Sequence, residues 1–217
     1  MRVGIVGGTG GIGEGMALRL AQSHTVMIGS RETEKAEVCC RSCEQILKEQ
    51  GLSCSLIGKT NQEVVNFSEI IILAIPFKFL VPTLKELTGF EGKVVVSPVN
   101  PIEKTGEFFS YTPPPEGSAG MLAKKLLPKE AKLCVAFNNI AANRWRELKE
   151  PLEYSVAVCG DDEGAKRQVM ELAVDVPNLK PLNAGPLAVA PLIESLTPLL
   201  LTLGRYNRLK DVGVRFY

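Results

Sequence analysis

A glycine-rich loop near the start of the chain restricts the folds that this sequence can adopt. Residues 7–13 read Gly-Gly-Thr-Gly-Gly-Ile-Gly, which contains the pattern G-x-G-x-x-G at Gly8, Gly10 and Gly13. The pattern directly follows an apolar run and opens an amphipathic one, which is the strand-to-helix context of a dinucleotide-binding turn. There the glycines allow a tight turn, close approach of a pyrophosphate, and packing of helix on strand. The loop predicts a dinucleotide site formed by Gly8, Thr9, Gly10, Gly11, Ile12 and Gly13.

Strand-like runs alternate with helical patterns along most of the chain, as in parallel sheets with crossover helices. We predict an α/β fold of the doubly wound Rossmann type with a mainly parallel sheet. The predicted strands are Arg2–Val6, Thr25–Ile28, Ser53–Ile57, Glu69–Ile75, Lys93–Ser97, Lys132–Phe137 and Tyr154–Cys159. The predicted helices are Gly11–Gln22, Arg31–Gln50, Phe77–Leu87, Gly117–Leu127 and Asp162–Val174. Prolines between Ser97 and Pro115 predict a loop-rich segment there.

The last part of the chain differs in character from the rest. Leu187–Leu209 predicts one long apolar helix bent at Pro191 and Pro198. Its longest apolar stretch, Leu196–Leu203, is too short to span a bilayer. Such a helix must bury its surface, so we expect it either to close over the cofactor cleft or to pack against a second copy. The expected organisation is a nucleotide-binding domain over residues 1–140 and a small C-terminal α/β cap over residues 141–217 that closes the cleft.

The residues after the second predicted strand indicate which dinucleotide binds. NAD enzymes usually place Asp or Glu at this point, to bind the ribose 2′-hydroxyl. Here the chain carries Ser30, Arg31 and, on the same helical face, Lys35. These donors suit a 2′-phosphate, which an arginine can bind through two parallel hydrogen bonds. The pattern therefore predicts NADP(H); in the alternative, Ser30 only caps the helix while Arg31 and Lys35 face solvent.

Composition excludes several other classes of protein. The net charge of +1 provides no broad basic field for nucleic acid or a membrane surface. The chain begins directly with the first strand, which leaves no room for a targeting peptide and predicts a cytoplasmic protein. Helical spacing places Cys39, Cys40 and Cys43 on a buried face as small hydrophobic residues, and the alternative is a metal or redox site.

The sequence shows no acid–base apparatus of the usual dehydrogenase kind. The only histidine, His24, precedes the second strand and is interpreted as a surface loop residue. No Tyr-x-x-x-Lys pair of the short-chain dehydrogenase kind is recognised, since Tyr111 is followed at that spacing by Pro115, and the doublet Asp161-Asp162 is interpreted as a helix cap rather than a metal site. We therefore predict neither catalytic side chains nor metal ligands. A hydride can still pass directly between two stacked redox cofactors, which needs positioning more than proton transfer.

The chain resembles the archaeal F420-dependent NADP oxidoreductases over nearly its whole length. The resemblance rests on Gly7-Gly-Thr-Gly, Gly29-Ser-Arg with Lys35, Ile75-Pro76, and Val96-Ser-Pro with Pro101. It continues through Ala136-Phe-Asn-Asn-Ile140, Cys159-Gly-Asp-Asp162, Ala184-Gly-Pro186 and Glu194-Ser-Leu-Thr-Pro198. The resemblance implies reversible hydride transfer between NADP(H) and the deazaflavin coenzyme F420.

The same resemblance implies roles for individual residues. Phe77 and Ile102 would line the NADP cleft, Ala142 would lie near the nicotinamide, and Val212 would contact the deazaflavin. Asn138 and Asn139 could hydrogen-bond one of the two ring systems, or could only close the turn that follows a strand. The anionic tail of the deazaflavin coenzyme needs cationic contacts, for which Lys78, Lys104 and Arg144 are candidates.

Three further interpretations stay open at this point. The chain could be an NADPH-dependent ferric or flavin reductase, or a non-enzymatic NADP(H)-sensing protein. The sensing protein predicts an exposed partner surface and no cleft for a second ring system. The apolar terminal helix also predicts a homodimer.

Overall fold

An eight-stranded sheet with helices on both faces forms the framework of the protein. The structure is a computed structural model that describes residues 1–217. The strands are β1 Arg2–Val6, β2 Thr25–Ser30, β3 Ser55–Thr60, β4 Ile70–Leu73, β5 Val94–Ser97, β6 Ile102–Thr105, β7 Phe108–Tyr111, β8 Lys132–Val135, β9 Ser155–Gly160 and β10 Lys180–Gly185. The helices are α1 Gly11–Leu20, α2 Thr33–Glu49, α3 Asn61–Phe67, α4 Leu80–Glu86, α5 Ala119–Leu126, α6 Ala142–Arg146, α7 Glu163–Val174 and α8 Ala190–Asn207.

The order of the strands creates a crevice at the centre of the sheet. The order is β10-β9-β8-β5-β4-β1-β2-β3, and every neighbouring pair is parallel except β8 and β9. The chain moves outward from β1 through β2 to β3 and then returns to place β4 on the other side of β1. Ligands bind outside the carboxyl ends of the strands at such a reversal. The predicted doubly wound, mainly parallel fold is confirmed.

Two layers of buried side chains hold the helices against the sheet. One layer joins the strands to α1, α2 and α7, with fully buried Met16, Leu47 and Val169 among its members. The other joins the opposite sheet face to α3, α4, α5 and α8, and contains Val64 and Leu84. Val, Ile and Leu dominate the central strands because a parallel sheet covered on both faces has no polar face.

Several elements were not predicted from the sequence. The segment from Ser97 to Pro115 was expected to be loop-rich, but β6 and β7 pair there as an antiparallel hairpin. Three short elements, α3, α6 and β10, were also missed. The hairpin is largely exposed and lies against α8 rather than in the sheet, with the Phe109 amide donating to Thr202 Oγ1 at 3.1 Å. Its strands are four residues long, too short for alternation to distinguish them from a loop.

The interpretation of His24 as a surface residue was wrong. The side chain is buried, and its Nε2 lies 3.1 Å from Asp175 Oδ2 after α7. Burial and the nearby chain amino group lower the pKa of His24. Only the tertiary fold brings residues 24 and 175 together, so no local pattern could have shown this contact.

The expected burial holds for Cys40 and Cys43 but not for Cys39, which is half-buried, and only Asp162 of the aspartate doublet is the expected helix cap. Cys40 and Cys43 are buried on the inner face of α2, and all six cysteines are free thiols. No group of three or more histidine, cysteine, aspartate and glutamate side chains is placed to hold a metal ion. Asp162 caps α7, accepting a 2.7 Å hydrogen bond from the Ala165 amide. Asp161 accepts from the Leu187 amide at 2.9 Å and so fixes the turn before α8.

The domain boundary near residue 140 stays a prediction. Strands β9 and β10 continue the same sheet as β8, so residues 141–217 share the framework of the nucleotide-binding part. Within this C-terminal part, α8 and the tail that follows it lie over the carboxyl edge of the sheet.

Helix α8 is anchored in the fold by one buried carboxylate. Pro191 lies in the first turn, where proline is tolerated, and only Pro198 stands inside the helix. With the preceding turn the helix spans 21 residues at mean hydropathy 1.6, so by length and composition it could cross a membrane, whereas the shorter stretch Leu196–Leu203 could not. Yet fully buried Glu194 accepts hydrogen bonds from Tyr111 Oη (3.2 Å), from the Ala119 amide (2.8 Å) and from the Gly120 amide (2.9 Å). These bonds tie α8 to the start of α5 and to the hairpin.

The protonation of Glu194 should affect stability. Burial raises the pKa of Glu194 from 4.5 to about 6, despite the hydrogen bonds that favour its charged form. A raised carboxyl pKa contributes stability that is fully present below the pKa of the unfolded chain and lost as pH rises through about 6. Relative to Glu194→Gln, the free energy of unfolding of the wild type should rise by about 2 kcal/mol between about pH 7.5 and pH 4.5. Urea unfolding at both pH values measures this, and a difference independent of pH would contradict it.

Candidate functional site

The carboxyl ends of β1 and β4 frame the crevice predicted from the strand order. After β1 the chain turns through Gly7, whose φ of 70° is open to glycine but strained for other residues. The Gly7 amide donates to Asn61 Oδ1 at 3.0 Å, and the Gly8 amide donates to the Gly29 carbonyl at 2.8 Å. These bonds fix the glycine loop against α3 and β2.

The start of α1 offers free backbone donors to this crevice. Gly10 is the N-cap and makes no side-chain cap hydrogen bond, so the first N–H groups of α1 have no side-chain acceptor. A Cβ on Gly10 would meet only the Gly7 carbonyl oxygen, at 3.7 Å, so the space beside it is open. In contrast, a Cβ on Gly13 would lie 2.5 Å from the Gly8 Cα. Gly10 therefore leaves room for a ligand, whereas Gly13 lets helix pack on loop.

The predicted 2′-phosphate residues meet in one cavity of about 320 Å³, here called the phosphate cavity. Ser30 is buried at the end of β2, and its Oγ accepts a 3.3 Å hydrogen bond from the Glu32 amide. Lys35 Nζ lies 2.7 Å from Glu32 Oε1, an ion pair that lowers the pKa of Glu32. Arg31 is exposed at the same cavity and makes no ion pair. Surface ion pairs of the Lys35 kind contribute little, so Lys35 can turn to a phosphate at small cost.

A larger cavity of about 590 Å³, the central cavity, continues from the glycine loop across the carboxyl edge of the sheet. Its lining is mostly apolar. The side chains that the sequence predicted for the cleft, Ile12, Phe77, Ile102 and Asn138, all line it. Loop residues after β4 and β5 and two residues of α8, Thr197 and Leu201, complete the wall. Such an apolar lining with few polar groups is typical of sites for flat ring systems.

A third cavity of about 370 Å³, the tail cavity, lies on the other side of the same wall. It is bounded by the second half of α8, by the hairpin through Phe109, and by the C-terminal tail through Asp211 and Val212. Four residues line both the central cavity and the tail cavity: Asn138, Ile140, Thr197 and Leu201. Two ligands placed in these cavities would meet at this shared wall.

Asn138 is held in one orientation at the shared wall. Its Nδ2 donates to the Val99 carbonyl (3.2 Å) and to Asn100 Oδ1 (3.1 Å), while Asn100 Nδ2 donates back to the Asn138 carbonyl at 3.0 Å. The Thr197 hydroxyl donates to the same carbonyl at 2.7 Å. Asn138 Oδ1 is buried and has no hydrogen-bond partner. A buried acceptor of this kind is costly unless a ligand satisfies it.

Asn139 has a different environment. Its Nδ2 donates to the Ser155 carbonyl at 3.0 Å and so joins the end of β8 to the start of β9. The residue before the pair, Phe137, has a φ of 66°, which turns the chain sharply after the strand. Asn139 also lines the tail cavity, but its amide nitrogen is already engaged in the fold.

A buried arginine positions the segment that carries Ala142. Ala142 lies beside Gly11, with its Cβ 3.9 Å from where a Gly11 Cβ would be. Behind it, Arg19 donates to the Trp145 carbonyl at 2.9 Å and to the Glu147 carbonyl at 2.7 Å, among four carbonyls that it contacts. Burial lowers the pKa of Arg19 to about 10. The contacts of Arg19 fix α6 against α1, beside the glycine loop.

The structure brings the predicted residues together in two groups. Thr9, Gly10, Ser30, Arg31 and Lys35 share the phosphate cavity, and Val212 joins Asn138 in the tail cavity. Gly8 and Gly13 are buried and form the packing of the loop rather than its surface. The contributions of Asn61, Asn100, Thr197 and Leu201 were not predicted. Of these four residues, only Thr197 stands out in the sequence, as a polar residue within the apolar run of α8.

The candidate cations for an anionic tail are differently placed. Lys78 lines the central cavity, with its Nζ 5.0 Å from the centre of the Phe79 ring. Lys104 is exposed on the hairpin. Arg144 is engaged with Glu147 at 2.7 Å and with the Pro151 carbonyl at 2.9 Å.

Comparisons with known proteins agree with this geometry. Residues 2–101 match the family model described as NADP oxidoreductase, coenzyme F420-dependent. The chain is 35% identical to the F420-dependent NADP reductase of Methanocaldococcus jannaschii, over 99% of this chain and 97% of that protein. It is 32% identical to the F420-dependent NADP reductase of Methanothermobacter thermautotrophicus, over 99% and 94% of the two chains.

Solved structures share the fold. A crystal structure from Arthrobacter sp. FB24, provisionally described as an F420-dependent NADP reductase, matches with a TM-score of 0.81 at 23% identity, over 100% of this chain and 99% of that one. An imine reductase from Aspergillus terreus in complex with NADPH4 matches with a TM-score of 0.61 at 20% identity, over 95% and 62% of the two chains.

Proposed function

The chain belongs to the family of coenzyme F420-dependent NADP oxidoreductases, and from that premise we propose that it transfers a hydride reversibly between NADP(H) and coenzyme F420 at the wall shared by its two cavities. This placement of the reaction rests on one observation. Four residues line both cavities: Asn138, Ile140, Thr197 and Leu201. The two cavities therefore adjoin along these residues, and rings placed in them would approach each other there. The central cavity, continuous with the glycine loop, would take the nicotinamide, and the tail cavity would take the deazaflavin.

The residues present fit NADP(H) along the whole crevice. The open space beside Gly10 admits the pyrophosphate next to the free N–H groups of α1, where anions are favoured. Arg31, Lys35 and Ser30 converge on the phosphate cavity, which Glu32 and Glu86 also line, and the last residue of β2 is Ser30 rather than a carboxylate. An unsatisfied carboxylate there would repel the 2′-phosphate, whereas these donors bind it.

Asn138 would recognise a ring at the shared wall. Because its Nδ2 is already used twice, only Oδ1 is available, and Oδ1 can only accept. We expect it to accept an N–H from the ligand, such as the nicotinamide carboxamide or the imide N–H of the deazaflavin. Donation from Asn138 to a ring carbonyl, which the sequence left open, does not fit this orientation.

The chain itself would position the two ring systems and shield them from water, rather than transfer protons. When bound, the two ring systems supply the redox chemistry, in which a hydride passes between carbon atoms. None of the four residues of the shared wall is titratable in the ordinary pH range, and the apolar side chains of Ile140 and Leu201 would shield bound rings from water. Fixing two rings at reactive distance accounts for a large part of such a rate enhancement.

Two other functions predicted from the sequence receive less support. A sensing protein needs no second ring-sized cavity, yet the tail cavity adjoins the central one. A ferric or flavin reductase would need the same NADPH site but would not need a second site formed by the C-terminal tail. A direct assay distinguishes these functions from the proposed one.

The assay mixes the purified chain with NADPH and oxidised coenzyme F420 and follows the absorbance of the deazaflavin. We expect this absorbance to fall at a rate proportional to the protein concentration. It should rise when NADP and reduced coenzyme F420 are supplied instead. Parallel reactions with ferric chelates and with flavin mononucleotide serve as controls. Turnover on those acceptors without turnover on F420 would overturn the proposal.

We also propose that the protein is a cytoplasmic homodimer joined through α8. Leu192, Leu199, Leu203 and Tyr206 follow one another at helical spacing and are 41–69% exposed, which gives a continuous apolar stripe on the outer face. A second copy is the simplest partner because a two-fold interface uses the same patch twice. Sedimentation equilibrium should give the mass of two chains, and a monomer at micromolar concentration would contradict this.

Six free cysteines agree with a reducing compartment.

A further inference from the structure

We propose that Tyr154 is a positioning residue for the deazaflavin, because it holds the C-terminal strap that forms one wall of the tail cavity. The strap is the segment 209–216, which follows α8. This inference rests on the proposed function, since it assigns the tail cavity to the deazaflavin. It concerns a residue that does not itself line that cavity.

The strap leaves α8 through a sharp turn and then crosses the cavity. Arg208 has a φ of 56°, and the Leu209 amide donates back to the Gly204 carbonyl at 2.9 Å, which ends the helix. Val212 then packs on α8, with its Cγ2 3.3 Å from where a Gly204 Cβ would be. Leu209, Asp211 and Val212 line the tail cavity. The position of this wall therefore depends on what holds the strap beyond Val212.

Tyr154 provides that hold through both its hydroxyl and its ring. The side chain is buried, and its hydroxyl donates to the Asp211 carbonyl at 2.9 Å. Asp211 has a φ of 50°, a left-handed conformation that a non-glycine residue adopts only when its surroundings fix it. The ring lies against Gly213 so closely that a Cβ there would be 1.9 Å from Tyr154 Cε1. Val212 thus stands between two residues that Tyr154 contacts directly.

Further hydrogen bonds attach the rest of the strap along the edge of the sheet. The Ser155 amide donates to the Val214 carbonyl at 2.8 Å, and Ser155 Oγ accepts from the Phe216 amide at 2.8 Å. The Lys180 ammonium donates to the Phe216 carbonyl at 3.2 Å. Because β9 runs antiparallel to β8, its first residues lie at the edge where β8 ends. The strap is therefore attached directly beside Asn138 and Asn139.

If Tyr154 positions the strap, disturbing it should weaken the binding of coenzyme F420 and leave the binding of NADPH unchanged. Gly213→Ala places a methyl group against the Tyr154 ring and must displace the strap, since Gly213 lacks the positive φ that would strain alanine in itself. Tyr154→Phe keeps the ring and removes the hydroxyl that donates to the Asp211 carbonyl. We expect Gly213→Ala to raise the dissociation constant for oxidised F420 at least about tenfold and Tyr154→Phe about threefold to fivefold, as loss of one hydrogen bond implies.

The experiment titrates each purified variant with oxidised F420, followed by fluorescence, and separately with NADPH. Tyr217→Phe, which removes a fully exposed hydroxyl that makes no hydrogen bond within the chain, is the matched control. The dissociation constant for NADPH should stay at the wild-type value in all three variants, and the control should also keep the wild-type melting temperature. Hydrogen exchange of residues 209–216 should quicken in Tyr154→Phe, with and without ligand.

The outcomes separate this inference from the proposed function. If the wild type binds F420 and Gly213→Ala binds it equally well, the positioning role is wrong while the proposed function stands. Equal losses for F420 and NADPH would show a general structural role and also overturn it. If the wild type binds NADPH but not F420, the proposed function fails and this inference fails with it.

Discussion

Replacing Gly10 by alanine should abolish most NADP(H) binding without disturbing the fold. The backbone at Gly10 has φ −83° and ψ 163°, which alanine adopts freely, and its Cβ would point into open space. That space is where the pyrophosphate must approach the loop. A steric cost of about 1–3 kcal/mol predicts a dissociation constant for NADPH raised about tenfold to 100-fold. Isothermal titration measures it, with the melting temperature as a check on the fold.

Gly13→Ala is the matched control because it should have the opposite profile. Its Cβ would lie 2.5 Å from the Gly8 Cα and 2.8 Å from the Gly8 carbonyl oxygen, and backbone atoms cannot yield as a flexible side chain can. We expect a fall in melting temperature of about 5–10 °C for a chain of this size. If Gly10→Ala unfolds the protein, or binds NADPH like the wild type, the assignment of this loop to the pyrophosphate is wrong.

Removing the Arg31 guanidinium should change the choice of nucleotide. Arg31 is exposed at the phosphate cavity and free of ion pairs, so its loss leaves no other buried group unsatisfied. A lost pair of hydrogen bonds to a charged group weakens binding by roughly 2–3 kcal/mol, or about 30-fold to 150-fold. Arg31→Ala should show that loss for NADPH and almost none for NADH, in titrations of both nucleotides.

Arg41→Ala provides the comparison for a change of charge alone. Arg41 is also exposed on α2, two turns beyond the phosphate cavity, and does not line it. Its replacement should leave both nucleotides unaffected. Equal losses for NADPH and NADH in Arg31→Ala would instead place Arg31 at a part that the two nucleotides share, such as the adenine or the pyrophosphate.

Local patterns were enough to group the residues of the proposed nucleotide site, since these residues are consecutive or nearly so. Gly8 to Gly13 and Ser30 to Lys35 form single strand-to-helix turns, where spacing alone determines which groups share a face. The shared wall could not be predicted in the same way. Asn100, Asn138 and Thr197 meet only because β5 and β8 end at the same edge of the sheet and the middle of α8 lies over that edge.

Most of the elements that sequence analysis missed are short. Hairpin β6–β7 and helix α6 have four or five residues per element, which is too few for periodicity to appear. The burial of His24 was missed for another reason, namely that its partner Asp175 is distant in sequence. In both cases the stabilising contacts are tertiary, and α6 in particular depends on Arg19 donating to its carbonyls.

The two ends of the chain lie at opposite edges of the sheet, and this determines how the protein should be handled in the laboratory. Met1 precedes β1 at the edge away from the crevice, whereas the strap ends beside the start of β9 at the crevice itself. An affinity tag after Tyr217 would extend the segment that shapes the tail cavity. A tag before Met1 would lie next to His24 and Asp175, far from both ligands. Amino-terminal fusion is therefore the better design for purification, surface immobilisation, and coupling to a second enzyme.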